Sequence, residues 1–346
     1  MPSAPQILIS GYTEEGSGTG PGIHRYALAD DGTIGALLAQ SAGVSNPSFL
    51  TSGEQSLFAV EEGPNGSVAD LDPQSLEVRG RASSGGADPC HLIVQDGYVL
   101  AANYSSGTTA VIPVSEWGSA VPAPAQLLSN PGTGPVSDRQ GSSRAHQVTA
   151  TPWGTVLVAD LGADRVDEYA LTAGSYQRVG SAVLPSGTGP RHVALKGDFL
   201  LVAGELDGFL HVLRRSGVEK GHVWQWRSKS PLAATAGAIE AAEQFYPSHI
   251  QLSDDGSKLY AAVRGPNTMV VLDVAALADD VAPGFVAEVP SGGNWPRHFA
   301  VGQGKIYVAN QLSNNVAIFE LDAEGLPVLE PLQVLDFGSP ACVVLV

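Results

Sequence analysis

Residues 187–213, GTGPRHVALKGDFLLVAGELDGFLHVL, decide the fold. A Gly-Thr-Gly-Pro lead-in delivers Arg191 and His192 to the start of one short apolar strand. A second, LLVA, ends at Glu205, and the turn Asp207-Gly208 sends the chain back into a third, FLHVL. Asp-Gly between apolar runs is a strong short-range hairpin signal. Cation, imidazole and carboxylate therefore sit at strand ends, where loops can aim them at one place.

The layout recurs. Strands opened by Pro-x-His or a relative begin at Pro47, Pro89, Arg144, Pro190, Pro247, Pro296 and Pro340, at intervals of 42 to 57 residues. Almost every opening is followed by a small apolar strand such as SLFAVEEG, YVLAANYS, TVLVADLG or KIYVANQL. Self-similarity near a period of roughly 40 to 50 residues, with four strands per repeat, indicates propeller blades. The reading is an all-β, seven-bladed β-propeller forming a single domain over residues 1–346. PACVVLV at the C-terminus supplies the innermost strand of the last blade, and QILISGYT with the strands after it supplies the rest. That clasp closes the ring and leaves only short, protected edges.

Composition agrees. Glycine (41) and proline (24) punctuate strands at regular intervals instead of clustering, which is turn usage. Two insertions interrupt the rhythm: residues 129–142, SNPGTGPVSDRQGS among them, and residues 217–243, whose TAGAIEAAEQF is the only helix the sequence predicts, about two turns long. Loops of such length in a compact fold are often functional.

A formal net charge of −17 disfavours nucleic acid, which needs a basic stripe for counterion release, and makes any cluster of the 18 lysines and arginines stand out. No run approaches the length of a membrane span, so no membrane partner is expected. The N-terminal MPSAPQILIS lacks a basic or long apolar leader, and Cys90 and Cys342 fall in non-neighbouring blades, which argues against a disulfide. These features predict a cytoplasmic protein with free, buried thiols, Cys90 in the core.

At the strand openings, alternation puts Arg191 and Val193 on one face and His192 and Ala194 on the other. The histidines at 91, 146, 192, 249 and 298 read mainly as structural hydrogen-bonding positions. A metal ring is disfavoured because its ligands would be spread around an axis, and no cofactor is expected. His192 and His298 are candidates for lining the site. Arg297 repeats the Pro-Arg-His pattern and is either a phosphate ligand or an inter-blade ion pair. Glu62 and Asp160 read as solvated or turn-forming carboxylates, and residues 160–165, DLGADR, as either a tight turn or part of the mouth.

The segments DPCHL, AHQV with DLGADRV, GTGPRHVAL with GEL, SDDGSKLYAAVRG, and GGNWPRHFAV with IYVANQLSNNVAIF resemble, in order, the motif series of the bacterial 6-phosphogluconolactonase family of propeller lactonases. The resemblance spans essentially the whole chain. It implies site residues at His146, Arg191, Glu205 and Arg264, with Gly204 and Val263 standing where the family usually has asparagine. It also implies a small anionic lactone as substrate.

That chemistry suits the residue types. Opening a lactone needs an activated water, stabilisation of the tetrahedral oxyanion and a proton for the departing ring oxygen. Glu205 or His146 can act as base. Arg191 and Arg264 can clamp an oxyanion or an anionic group bidentately. A carboxy-muconate lactonising isomerase would use the same groups in reverse. A non-catalytic interaction platform is the remaining alternative, disfavoured because the charged residues are unevenly distributed among the repeats.

Overall fold

The computed structural model describes residues 4–14, 18–117, 123–216, 223–277 and 281–346. Within them lie seven four-stranded antiparallel sheets, arranged as blades around one axis. The innermost strands of blades 1 to 6 are Leu50–Ser52, Pro89–Gln95, Ala145–Ala150, Pro190–Lys196, Tyr246–Leu252 and Pro296–Gly302. Blade 7 has Pro340–Leu345 innermost, paired to Gln6–Gly11 with Ile9 opposite Val343, and the N-terminal strands outside it. The expected clasp is therefore present.

The second strand of each blade is buried on both faces, which is why it reads as a continuous apolar run. In blade 4, Leu201 and Ala203 pack towards blade 5, while Leu200 and Val202 pack towards blade 3. Seven such apolar layers, one between each adjacent pair of blades, replace a single central core. The axis is thereby left free for polar side chains.

Two details differ from the sequence reading. Of residues 217–243, the stretch Val223–Pro231 is the outer strand of blade 4, and residues 217–222 lie outside the described residues. The predicted helix is Ala236–Ala241, capped by Thr235 Oγ1 accepting from Ala238 N at 3.3 Å, and it is joined by an unforeseen one-turn helix, Ser137–Gln140, in the first insertion. Among the described residues no helix is long and apolar enough to cross a membrane.

Candidate active site

Every blade from 2 to 7 has a register shift where its innermost strand begins: Pro89 pairs with Asn103 but His91 with Ala102, and Pro296 with Asn310 but His298 with Ala309. One residue per blade is squeezed out of the ladder, a bulge that re-aims its side chain. The bulged residues are Cys90, His146, Arg191, Ser248, Arg297 and Ala341, with Ser48 in the equivalent place of blade 1. Simple alternation fails here for that reason. Arg191 and His192, expected on opposite faces, both line the same small axial cavity, with Cys90, His146, Arg297 and His298.

The register also corrects blade 3. Ala145 pairs with Asp160 and Gln147 with Ala159, so Ala145-His146-Gln147 is the counterpart of Pro190-Arg191-His192. The anchor read from the sequence, Arg144-Ala145-His146, is one residue out of step. His146 belongs with the arginines and Gln147 replaces the repeat histidine. Gln147 Oε1 accepts from Val193 N of the next blade at 2.5 Å, just as His298 Nδ1 accepts from Val343 N at 3.3 Å.

Three layers follow along the axis. At the mouth stand Tyr12, Glu62, Tyr104, Leu161, Glu205, Arg264 and Gln311, each one residue beyond the second-strand position opposite the anchor; the Glu205 N–H, for instance, donates to Gly189 O at 2.9 Å. The bulged residues come next. Beneath them, Phe49, His91, His192, His249 and His298 form an aromatic plug: His249 stacks on His298 at 4.0 Å between centroids, Phe49 lies 4.0 Å from His91, and His192 Nδ1 is 2.8 Å from His249 Nδ1. Burial is the first cause that keeps these imidazoles neutral, taking His91 and His298 down to about 3 and His192 and His249 well below their ordinary value. The histidines thus converge, contrary to expectation, but on one another. Among the described residues no group of three or more His, Cys, Asp or Glu is placed to hold a metal ion.

Glu205 is the centre of the charged layer. It is 2 % exposed, with Oε2 2.7 Å from Arg264 Nη2 and 2.9 Å from Arg191 Nε, and Arg139 Nη2 donates to Oε1. The Arg191 contact is a charge contact, since its geometry is not that of an aligned hydrogen bond. Burial alone would raise the Glu205 carboxyl, but Arg264, Arg191 and Arg139 overcome it and hold it far below the usual carboxylate range. Burial lowers His146 well below its ordinary value, Arg191 adding to the effect and Glu205 opposing it.

Across the mouth, Arg297 donates to Tyr12 Oη and to Gln311 Oε1 at 3.2 Å, and Tyr12 Oη donates to Glu62 Oε2 at 2.9 Å. Glu62 is not the solvated carboxylate expected: burial pushes it above its ordinary range against the pull of Arg297. Cys90 is not a core residue either, since its Sγ faces His146 Nδ1 at 3.9 Å, whereas Cys342 is fully buried; both thiols are free. Asp160 is turn-forming as expected, accepting from Gly162 N at 3.1 Å and Arg144 N at 2.7 Å.

Gly204 and Val263, which stand where the family usually has asparagine, can be compared with the blades that keep it. Their counterparts Asn103 and Asn310 are fully buried and donate to backbone oxygens of the preceding loop, Ser84 O and Ser291 O, each at 2.9 Å. The amide is a structural tie. At 204 a Cβ would come within 2.2 Å of Asp207 Oδ1, and Val263 packs in the apolar layer between blades 4 and 5.

The residue that sequence reasoning missed is Arg139. It lies in the first insertion, outside any repeat, and only the insertion's length marked it out. Its side chain also meets Tyr104 Oη at 3.1 Å and lines a cavity of about 470 Å³ with Leu206, Phe245 and Tyr246, beside Glu205.

The family described as Lactonase, 7-bladed beta-propeller matches residues 6–345. A 6-phosphogluconolactonase of Bacillus subtilis (strain 168) is 30 % identical over 350 residues, covering 97 % of this chain and 96 % of that one. Among solved structures, the Pseudomonas aeruginosa periplasmic gluconolactonase PpgL superposes with a TM-score of 0.86 at 27 % identity, covering 99 % of both chains, and a Lactobacillus plantarum protein does so with a TM-score of 0.86 at 26 % identity and the same coverage. By this match and by its architecture the chain belongs to the seven-bladed β-propeller lactonase family, whose activity is lactonase-type hydrolysis.

Proposed function

We propose that the protein hydrolyses an anionic sugar lactone, 6-phosphogluconolactone being the first candidate. The observation that carries this is the gathering of Arg139, Arg191, Arg264 and Arg297 around Glu205 and Glu62 at one end of the axis, in a chain of net charge −17. In that cluster four guanidiniums face two carboxylates. An acidic protein that concentrates guanidiniums in a buried recess has built a receptor for negative charge. A docking platform would turn those groups outwards.

In this reading His146 takes the proton from a water attacking the lactone carbonyl. It is neutral and stands outside the ion pairs, whereas both oxygens of Glu205 are occupied by guanidiniums. Arg191 and Arg264 face the oxyanion as it forms, where preorganised charge is most effective. The ring C–O bond then breaks and His146 returns its proton to the departing oxygen, so lactone and water give the hydroxy acid. Glu205 holds the guanidiniums in place. Arg139, at the mouth, meets the substrate's phosphate with Arg297.

The test is hydrolysis of freshly generated 6-phosphogluconolactone by the purified protein, with a chelator and a no-enzyme control because such lactones open spontaneously. Acceleration that survives the chelator supports the reading; none with either the phosphorylated or the unphosphorylated lactone overturns it. Cytoplasmic residence belongs to the same proposal, on the strength of two unpaired thiols. Recovery of the protein in a periplasmic or secreted fraction would sink that part.

A further inference from the structure

Five of the innermost strands are entered through a residue with positive φ: Asn46 at 46°, Asp88 at 55°, Gly189 at 61°, Trp295 at 66° and Ser339 at 42°. Glycine has no Cβ to clash in this region, and short polar side chains tolerate it by bonding locally. Asn46 is held by bonds to the N-terminal segment, its Oδ1 accepting from Thr13 N and Glu14 N at 2.9 and 3.2 Å. Tryptophan has no short polar side chain to compensate in this way. A bulky residue here is a backbone outlier, of the kind that persists where surrounding structure over-determines it and that clusters at ligand sites. Two bonds hold it: Trp295 N donates to Asn267 Oδ1 at 2.8 Å, and Trp295 O accepts from Gln311 N at 3.1 Å.

The ring this conformation presents is half-buried at the mouth. Its centroid lies 5.3 Å from Arg264 Cζ and 6.1 Å from the Tyr246 ring, itself 5.9 Å from the same guanidinium. Tyr246 continues into the 470 Å³ cavity that Arg139 lines. An aromatic pair thus runs from the open cavity to the clamped arginine, and flat aromatic faces bury ring-shaped ligands with little loss of side-chain freedom.

We propose that Trp295, with Tyr246 beside it, is the platform on which the closed lactone ring lies, its C–H face on the indole and its carbonyl towards Arg264 and Arg191. This rests on the lactone-hydrolase reading above. The closed ring offers a flat face that the open-chain acid lacks, so the platform holds substrate in preference to product.

Two lactones of different charge, 6-phosphogluconolactone and glucono-δ-lactone, test it on the full-length protein. Trp295→Asn puts at this position a residue type that suits the backbone, and Trp295→Phe keeps a ring. The expected result is a KM raised about tenfold or more for both lactones in the Asn variant, equivalent to one aromatic contact, with kcat within about threefold and the Phe variant near wild type. An unchanged KM overturns the proposal. So does a rise confined to the phosphorylated lactone, which would tie the ring to the phosphate ligands, or a loss confined to kcat with both lactones, which would make the ring a support for Arg264 only. If the Asn variant does not unfold cooperatively, Trp295→Leu, which fills space without a flat face, takes its place in the comparison. Should the wild type open neither lactone, the hydrolase reading fails separately, and the platform is judged with gluconolactam, a ring that needs no turnover. An indole emission change on titration that is present in wild type and lost in Trp295→Phe supports the platform; equal responses overturn it.

Discussion

Asp164 and Gly189 are joined by a 2.8 Å hydrogen bond from the glycine N–H to Oδ1, and that bond links the turn of blade 3 to the lead-in of Arg191. The same carboxylate accepts from Gly187 N at 2.7 Å and from Gln140 Nε2 at 2.7 Å. Gln140 is fully buried and adjoins Arg139. One side chain therefore positions two of the three arginines that meet Glu205. Asp164→Ala should leave the Gly187 and Gly189 N–H groups without a partner, Gln140 Nε2 keeping Leu161 O at 2.9 Å, costing about 1–3 kcal/mol for each buried group left unsatisfied and lowering kcat/KM about tenfold or more. Urea unfolding and lactone kinetics measure both; unchanged kinetics would show the insertion to be anchored otherwise.

Glu205→Gln keeps shape and removes charge. Arg264, Arg191 and Arg139 then face one another without a counter-ion, and breaking a buried pair in this way costs about 3–5 kcal/mol. Turnover should fall about a hundredfold or more, the range seen when a preorganised electrostatic group is lost. Inorganic phosphate should raise the variant's melting temperature more than that of wild type, because an anion that binds the folded state alone stabilises it by mass action. Full lactone hydrolysis by the variant would rule out Glu205 as the organiser of the cluster.

Arg139→Ala separates binding from chemistry. Its side chain is 36 % exposed, against 4 % for Arg191, so it meets the substrate's charge at the rim. KM for the phosphorylated lactone should rise about tenfold, the equivalent of 1.4 kcal/mol, with kcat little changed, and the effect should shrink at high salt. A loss of kcat with unchanged KM would move Arg139 into the chemical step.

The axial histidines make the fold acid-sensitive. Their folded-state values lie below the unfolded value of about 6.5, His91 and His298 at about 3 and the others well below, so the unfolded chain binds protons that the native plug refuses. This contribution is fully present above pH ~6.5 and is lost as pH falls towards ~3, by about 1.4 kcal/mol per pH unit for each histidine kept neutral. Glu205, with a lowered value, acts in the same direction at still lower pH. Urea midpoints at pH 7.5, 5.5 and 4.5 should trace the slope. His91→Phe, beside Phe49 and with no partner for the histidine's Nδ1, should flatten it; an unaltered slope would mean the plug admits protons.

The fold and most of the charged site were legible along the chain because both are periodic. Strand length, turn residues and the recurring Pro-x-His report local backbone geometry, and local geometry repeated seven times closes a ring with little freedom left. Arg191, Glu205 and Arg264 stand at strand ends on that ring, so their convergence follows from the period and the topology. Three things do not. The bulge that turns Arg191 and His192 to one cavity, and shifts blade 3 so that His146 joins the arginines, is a matter of cross-strand register, which alternation within a strand does not encode. Arg139 reaches Glu205 from an insertion whose course is set by Gln140 and Asp164, partners 24 residues apart. The proton affinities of Glu205 and Glu62, opposite in direction for the same side chain, are set by which guanidiniums tertiary packing brings to each and how completely water is excluded. The amino-acid sequence by itself determined the propeller, its clasp and the residue types at its mouth; tertiary structure alone decided which of them touch, because burial and register are properties of neighbours that the chain supplies from far away.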